Sequence, residues 1–173
     1  MKQVWMLAVA VALVPVSDLF AQTGSQKFTV NVPSSISITA PADVALTHDE
    51  SDNDQAFPAQ TWGVSGNTQA GVNVSFSTAQ AFTHTTDSSY KRDVELSLAL
   101  GNAIGAATWT VGTASDTTDY ANATPDEVAT VAASSDGVGA ADFDLSVTFI
   151  TDTFGSFAAG AYETTVTGTV SSN

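Results

Sequence analysis

The stretch RDVELSLAL at residues 92–100 alternates strictly between polar and apolar side chains. Its apolar face consists of Val94, Leu96, Leu98 and Leu100. A period of two residues is typical of a β-strand with one buried face, because successive side chains of a strand point to opposite sides. The stretch ADFDLSVTFI at residues 141–150 repeats the pattern. Two strands of this length predict a sheet that covers a hydrophobic core.

Shorter alternating segments lie on both sides of these two, separated by turn-forming Gly, Asn and Pro residues. They cover residues 27–32, 34–40, 60–65, 71–78, 108–111, 127–133 and 162–170. Residues 44–47 could add a further short strand, and Gly66-Asn67 predicts a hairpin between the strands at 60–65 and 71–78. About nine or ten strands without crossover helices must be largely antiparallel. We therefore expect an all-β, antiparallel two-sheet sandwich, immunoglobulin-like or jelly-roll, with a barrel as the alternative.

The first 21 residues differ from the rest of the chain. Lys2 precedes an apolar run at residues 4–16, and Ala21 offers a small residue for cleavage. The run is shorter than the roughly 20 apolar residues that span a bilayer, which favours a secretory signal peptide over a membrane anchor. We expect residues 22–173 to form one secreted β-sandwich domain, in the periplasm, at the cell surface or outside the cell, with no transmembrane segment once the signal is removed.

Composition excludes several classes of function. Removing Lys2 and Asp18 with the leader leaves three basic and 17 acidic side chains, so the net charge stays at −14. Nucleic-acid binding is excluded because neutralising phosphates needs clustered Lys or Arg, and a polybasic membrane patch is excluded for the same reason. The chain has no cysteine, so thiol catalysis, disulfides and Cys-ligated zinc are also excluded.

Two acidic loops, at residues 48–55 and 113–126, are candidate metal sites. Calcium prefers several carboxylate, amide and carbonyl oxygens on flexible loops. The candidate ligands are Asp49, Asp52, Asp54, Asp116 and Asp119. Neither loop has the spacing of a helix-flanked calcium loop, so solvated acidic turns are the alternative. Calcium is the only cofactor that the sequence suggests.

Exposed aromatic side chains could bind sugars. Tyr90 and Tyr120 lie in predicted loops and are candidates for stacking on glycans, whereas Trp62 and Trp109 lie in strands and are expected in the core. The two histidines also lie in polar loops, where we expect them to be solvated. No Gly-x-Ser-x-Gly elbow or zinc spacing is present. We therefore expect a non-enzymatic protein, with a hydrolase as a distant third alternative.

The first alternating segment after the leader has a second possible use. It carries Phe28, Val30, Val32, Ile36 and Ile38. An extended segment of this kind can leave its own subunit and add a strand to the sheet of a neighbour, where main-chain hydrogen bonds give affinity. The alternative is an ordinary first strand of its own sandwich.

Two stretches resemble exported bacterial surface and fimbria-like sandwich subunits. They are AGAYETTVTGTVSSN at residues 159–173, and PSSISITAP with TWGVSGNTQAGVNVSFS within residues 33–77. The chain lacks the cysteine pair of chaperone–usher fimbrial subunits. It is also similar to WxL-type cell-wall domains, with Val64 and Val111 where that motif has Leu. The resemblance implies a structural subunit that associates with itself or with other cell-surface components. A calcium-assisted module for carbohydrate binding and adhesion is the alternative function.

Overall fold

A computed structural model describes residues 22–173; the predicted signal peptide lies outside the described residues. The chain divides into two units, Met1–Val32 and Pro33–Asn173. Of the first unit, residues 22–32 are described, and they are exposed and form no strand. Every strand described below belongs to the second unit. Within residues 22–173, no helix has the length and hydropathy needed to cross a bilayer.

The second unit is entirely β-structure, as the alternation predicted, with thirteen strands in the described residues. They are β1 (Ile36–Thr39), β2 (Gln55–Ala56), β3 (Gln60–Gly66), β4 (Val72–Thr78), β5 (Phe82–His84), β6 (Lys91–Arg92), β7 (Val94–Gly105), β8 (Trp109–Thr113), β9 (Ser115–Thr117), β10 (Thr130–Ser135), β11 (Gly139–Phe149), β12 (Tyr162–Glu163) and β13 (Val166–Ser172).

The strands form three antiparallel sheets. The first has the order β1-β3-β11-β7-β9, with β2 also paired to β11. The second has the order β13-β4-β10-β8, and the third is a small sheet of β12-β5-β6. The inner faces of the first two sheets share one hydrophobic core, so the predicted two-sheet sandwich is confirmed.

Consecutive strands of the sandwich lie in opposite sheets. From β3 onwards, leaving aside the small third sheet, the chain alternates between the two large sheets as far as β13. An immunoglobulin fold instead places several consecutive strands in the same sheet. The strand order of this sandwich therefore departs from the immunoglobulin order.

The predicted hairpin between β3 and β4 is wrong. β3 pairs with β1 and β11, whereas β4 pairs with β10 and β13. The connection instead crosses from one sheet to the other, which places Trp62 of β3 and Phe76 of β4 on facing sides of the core. Gly71 ends the crossing with φ of +85°, a conformation that side chains other than glycine rarely adopt.

Aromatic side chains fill the centre of the core. Phe76 on β4 lies 5.2 Å from Trp62 on β3 and 6.2 Å from Phe143 on β11, measured between ring centroids. Trp109 on β8 packs edge-on to Phe143 at 5.5 Å. The expectation that both tryptophans belong to the core is confirmed, since they are 8% and 7% exposed.

Several local expectations are wrong. Residues 27–32 and 44–47 form no strand, whereas β5 and β9 lie outside the predicted strands. Leu100, predicted to face inward, is exposed, because the pairing of β7 with β11 shifts register beside it, between Ala141 and Phe143. The strand count therefore exceeds nine or ten, since short strands at the sheet margins carry little alternation to detect.

Candidate functional site

A cleft of about 460 Å³ opens among loops that follow or precede the long strands. Its lining includes the side chains of Asp52, Asp54, Arg92, Asp93, Tyr120 and Asp152. These residues come from the loop before β2, the end of β6, the loop after β9 and the loop after β11. The cleft therefore exists only because the sandwich brings four distant segments to one place.

Two carboxylates of the first acidic loop fasten that loop to the segment after β11. Asp54 Oδ1 accepts a hydrogen bond from the Thr151 backbone N–H at 2.8 Å, and Asp52 Oδ1 accepts one from the Phe154 N–H at 2.7 Å. Within residues 22–173, the second oxygen of each carboxylate accepts no hydrogen bond. One oxygen thus fixes each side chain and leaves the other available for a ligand.

Asp93 also fastens two segments of the cleft to each other. Its Oδ1 accepts hydrogen bonds from Thr118 Oγ1 at 2.8 Å and from the Tyr120 backbone N–H at 3.0 Å. Its backbone carbonyl also accepts the Ile150 N–H at 3.0 Å. Asp93 therefore connects the loop that carries Tyr120 to the end of β11, which leads to Asp152.

Arg92 is the single basic group in the lining. It is 7% exposed, its guanidinium carbon lies 4.6 Å from the centre of the Phe157 ring, and its Nη2 donates to Ser156 Oγ. Among residues 22–173 it forms no ion pair, and its buried Nε has no hydrogen-bond partner. A buried cation normally has a carboxylate partner, since desolvation is costly otherwise. Here the cation–π contact with Phe157 supplies part of the compensation.

The lining favours some ligands over others. Four carboxylates and one guanidinium give it a formal charge of −3, which disfavours anions. Carboxylate oxygens accept hydrogen bonds from hydroxyl groups, the guanidinium donates to ring or hydroxyl oxygens, and Tyr120 offers an aromatic side chain. This set of groups suits a neutral polyhydroxylated molecule. Among the described residues, no three carboxylate or histidine side chains are grouped closely enough to hold a metal ion.

The remaining candidate calcium ligands do not line the cleft. Asp116 Oδ2 accepts the Thr130 N–H of β10 at 2.7 Å, and its Oδ1 accepts the Thr117 N–H at 3.0 Å. Asp119 accepts a hydrogen bond from Asn122 Nδ2 at 3.2 Å and forms a backbone bridge with Asp126. The second acidic loop therefore uses its carboxylates to brace its own backbone. Calcium binding at either loop stays a prediction.

Asp49 also stabilises a turn. Its Oδ1 accepts hydrogen bonds from Ser51 Oγ at 2.6 Å, Ser51 N at 3.0 Å and Gln55 Nε2 at 2.9 Å. The hydroxyl and backbone hydrogen bonds from Ser51 lower the pKa of Asp49 below its ordinary value of 3.8. Asp49 is thus committed to the turn that positions Asp52 and Asp54.

Tyr90 lies outside the cleft lining. Its ring is 41% exposed and packs edge-on to His84 at 6.1 Å. Of the two candidate glycan-binding tyrosines, Tyr120 alone is placed beside the carboxylates and Arg92. The two tyrosines therefore form a natural pair of test and control positions.

The expectation that both histidines are solvated is wrong. His84 is 8% exposed, and its Nδ1 accepts the N–H of Asp87 at 3.1 Å. His48 is partly buried against Phe154, with ring centroids 5.3 Å apart, and its Nδ1 accepts the Glu50 N–H at 3.0 Å. Both rings use that nitrogen to close a loop, so neither Nδ1 is available as a general base in this arrangement.

The predicted self-association segment is split by the structure. Phe28, Val30 and Val32 are 82%, 86% and 78% exposed. Ile36 and Ile38 belong to β1, where they pair with Gly66 and Val64 of β3, and Ile38 also packs against the core. The residues free to pair elsewhere are therefore those before Pro33.

Sequence reasoning missed Arg92, Asp93 and Asp152. Arg92 carried a usable signal, since it is one of only three basic residues after residue 21. Asp152 had no such signal in the sequence. Its unusual feature, a φ of +59° in a residue other than glycine, is visible only in the structure. Nothing in the local pattern connected either residue to the acidic loops.

No protein-family model matches the chain, and neither the curated proteins nor the solved structures contain a significant match. The resemblance to fimbria-like and WxL-type subunits therefore stays a prediction.

Proposed function

We propose that this protein is a non-enzymatic, secreted structural subunit of a cell surface, fimbria-like filament or extracellular matrix, and that it acts by self-association. The observation that carries the proposal is the exposure of Phe28, Val30 and Val32 in a segment that belongs to no strand. A segment that adds a strand to the edge of another sheet needs apolar side chains at alternate positions, and these three residues provide them.

Physical chemistry supports this use of the segment. Each of the three side chains would gain about 1.5–3 kcal/mol if it were fully buried. The backbone of residues 27–32 makes no hydrogen bond with residues 22–173, so it would also gain inter-strand hydrogen bonds. Single exposed apolar residues are ordinary on protein surfaces, but three in strict alternation over five positions are the pattern of a strand.

Light scattering on residues 22–173 tests the proposal. We expect large assemblies from the unmodified chain and loss of assembly from the triple variant Phe28→Ser, Val30→Ser, Val32→Ser. A matched control changes the polar positions of the same segment, Thr29→Ser and Asn31→Ser, and should assemble normally. A monomeric unmodified chain, or equal assembly of the triple variant and the control, would refute self-association through this segment.

A calcium-assisted carbohydrate-binding module is the second candidate. The observation that favours it is the placement of Tyr120 beside Arg92 and the cleft carboxylates. The test is retention of the chain on a panel of insoluble polysaccharides, with calcium and then with a chelator. Tyr120→Ala should abolish retention, whereas Tyr90→Ala, outside the cleft, should leave it unchanged. Equal effects of the two substitutions would argue against a glycan site in the cleft.

A further inference from the structure

Within residues 22–173, the two large sheets end in four strands that each have one unpaired edge. In the first sheet these are β1, with four residues, and β9, with three. In the second sheet they are β8, with five residues, and β13, with seven. An unpaired edge exposes a row of backbone N–H and C=O groups that can pair with another chain. The longest such row is on β13.

The edge of β13 also lacks the features that usually protect an edge strand. Its sequence, VTGTVSS, contains no charged residue and no proline, and its pairing with β4 runs from Val166 to Ser172 without a register shift. In contrast, β1 lies between Pro33 and Pro41, and β9 carries Asp116. Lysine, proline, bulges and short length are the common protections against edge-to-edge pairing.

The two faces of β13 are clearly distinguished. Val166, Gly168 and Val170 are partly buried and point towards the core, whereas Thr167 and Thr169 are exposed. Gly168 lies under Ile38 of β1 and Trp62 of β3, so closely that a Cβ there would be 2.6 Å from Ile38 Cδ1. A strand added to this edge would meet an apolar inner face and a polar outer face.

We infer that the free edge of β13 accepts residues 27–32 of a second copy of this chain. The inference rests on the proposed function, and it names the surface that receives the segment. The six residues of the segment fit along the seven of β13, and both sequences alternate in the same way. Phe28, Val30 and Val32 then continue the apolar face, while Thr29 and Asn31 continue the outer face with Thr167 and Thr169.

Charge also favours this edge over the neighbouring surface. Lys27 is the first residue of the segment, and the receiving chain carries a net charge of −14. Lys27 is attracted to the acidic partner at short range, although the two copies repel each other as wholes. The uncharged edge of β13 then lets backbone hydrogen bonds form without desolvating an acidic side chain.

Cysteine cross-linking tests the assignment directly, because the chain has no cysteine of its own. One preparation of residues 22–173 carries Thr29→Cys, and a second carries Thr169→Cys on the outer face of β13. The two are mixed and treated with a short bismaleimide. The matched control replaces the second preparation by Ser37→Cys, an exposed outer-face position on β1. Circular dichroism confirms that each variant folds.

We expect a cross-linked heterodimer with Thr169→Cys and loss of that product with Ser37→Cys. Cross-linking to Ser37→Cys instead, or assembly of the unmodified chain without a Thr169→Cys product, would overturn the β13 assignment but leave self-association standing. The absence of large particles from the unmodified chain in light scattering would overturn both. As an independent readout, Thr169→Lys should reduce assembly, whereas Ser37→Lys should not.

Discussion

Replacing Gly71 by alanine should destabilise the fold far more than the same replacement at Gly155. The two glycines have nearly the same φ, +85° and +86°, both in the region that side chains other than glycine rarely adopt. They differ in surroundings, because a Cβ at Gly71 would lie 2.0 Å from the Ser135 carbonyl oxygen and 2.8 Å from Gly137 N. A Cβ at Gly155 would meet nothing within 4 Å. The pair therefore separates backbone strain from steric conflict.

The magnitudes follow from these two surroundings. Left-handed backbone costs an alanine about 1–2 kcal/mol at both positions. The loss of glycine's freedom in the unfolded chain returns about 0.4–1 kcal/mol, so Gly155→Ala should cost about 0–1.6 kcal/mol. At Gly71 the conflict is with backbone atoms that cannot rotate away, and overpacking adds a further 1–3 kcal/mol or more, for a total of about 1–5 kcal/mol.

Urea unfolding of both variants, at concentrations where no assembly forms, measures the difference. A drop in the unfolding midpoint for Gly71→Ala, with Gly155→Ala close to the unmodified chain, is expected. Destabilisation of the two variants by the same amount, within about 0.5 kcal/mol, would refute the close approach of the β3–β4 crossing to β10. It would therefore also weaken the sheet-switching topology.

Three further predictions concern the loops and the surface charge. Thr151→Val should cost about 1–3 kcal/mol in urea unfolding, because Thr151 is fully buried and its Oγ1 bonds Asn53 O at 2.8 Å and His48 Nε2 at 3.0 Å; unchanged stability would contradict this bracing role. Hydrogen bonds from Ser51 and Ser89 lower the pKa values of Asp49 and Asp87, so their contribution to stability is present above pH 3.8 and is lost as the pH falls through the lowered values. The double variant Asp49→Asn, Asp87→Asn should show a shallower loss of the urea midpoint below pH 3.8, and an unaltered pH profile would count against the two turns. Assembly followed by light scattering should accelerate as NaCl is raised towards about 0.1 M, where the screening length is about 10 Å, because copies of net charge −14 repel each other; slower assembly with salt would show that attraction between charges dominates.

The strands that could be located from the sequence are those in which polar and apolar side chains alternate because one face is buried. β4 and β11 follow their predicted segments closely, because Phe76 and Phe143 are placed on the buried face of a continuous run. The pairing of these strands could not be predicted, since alternation states which face is buried and not in which sheet. The β3–β4 connection shows the limit, because a hairpin and a crossing between sheets share the same turn residues.

The candidate site was predictable only in pieces. Asp52, Asp54 and Tyr120 stood out because acidic loops and loop aromatics have recognisable compositions. Arg92 and Asp93 stood at the beginning of an alternating run, where they read as ordinary polar positions of a strand. The antiparallel pairing of β7 with β11 brings the start of β7 beside the end of β11. This pairing places Asp93 beside Ile150.

The proposed donor segment and the proposed acceptor edge are different surfaces of one chain, and this determines the kind of assembly. A contact between unlike surfaces is heterologous, so each added copy leaves a free donor at one end and a free β13 edge at the other. Such contacts give open filaments unless the rotation between copies happens to close a ring.

The charge distribution also favours a filament. Among residues 22–173, Lys91 pairs with Glu127 and Arg92 is buried against Phe157, whereas Lys27 forms no ion pair. The unpaired cation thus lies next to Phe28, while the acidic remainder of the surface repels other copies, so end-to-end addition is favoured over lateral clustering.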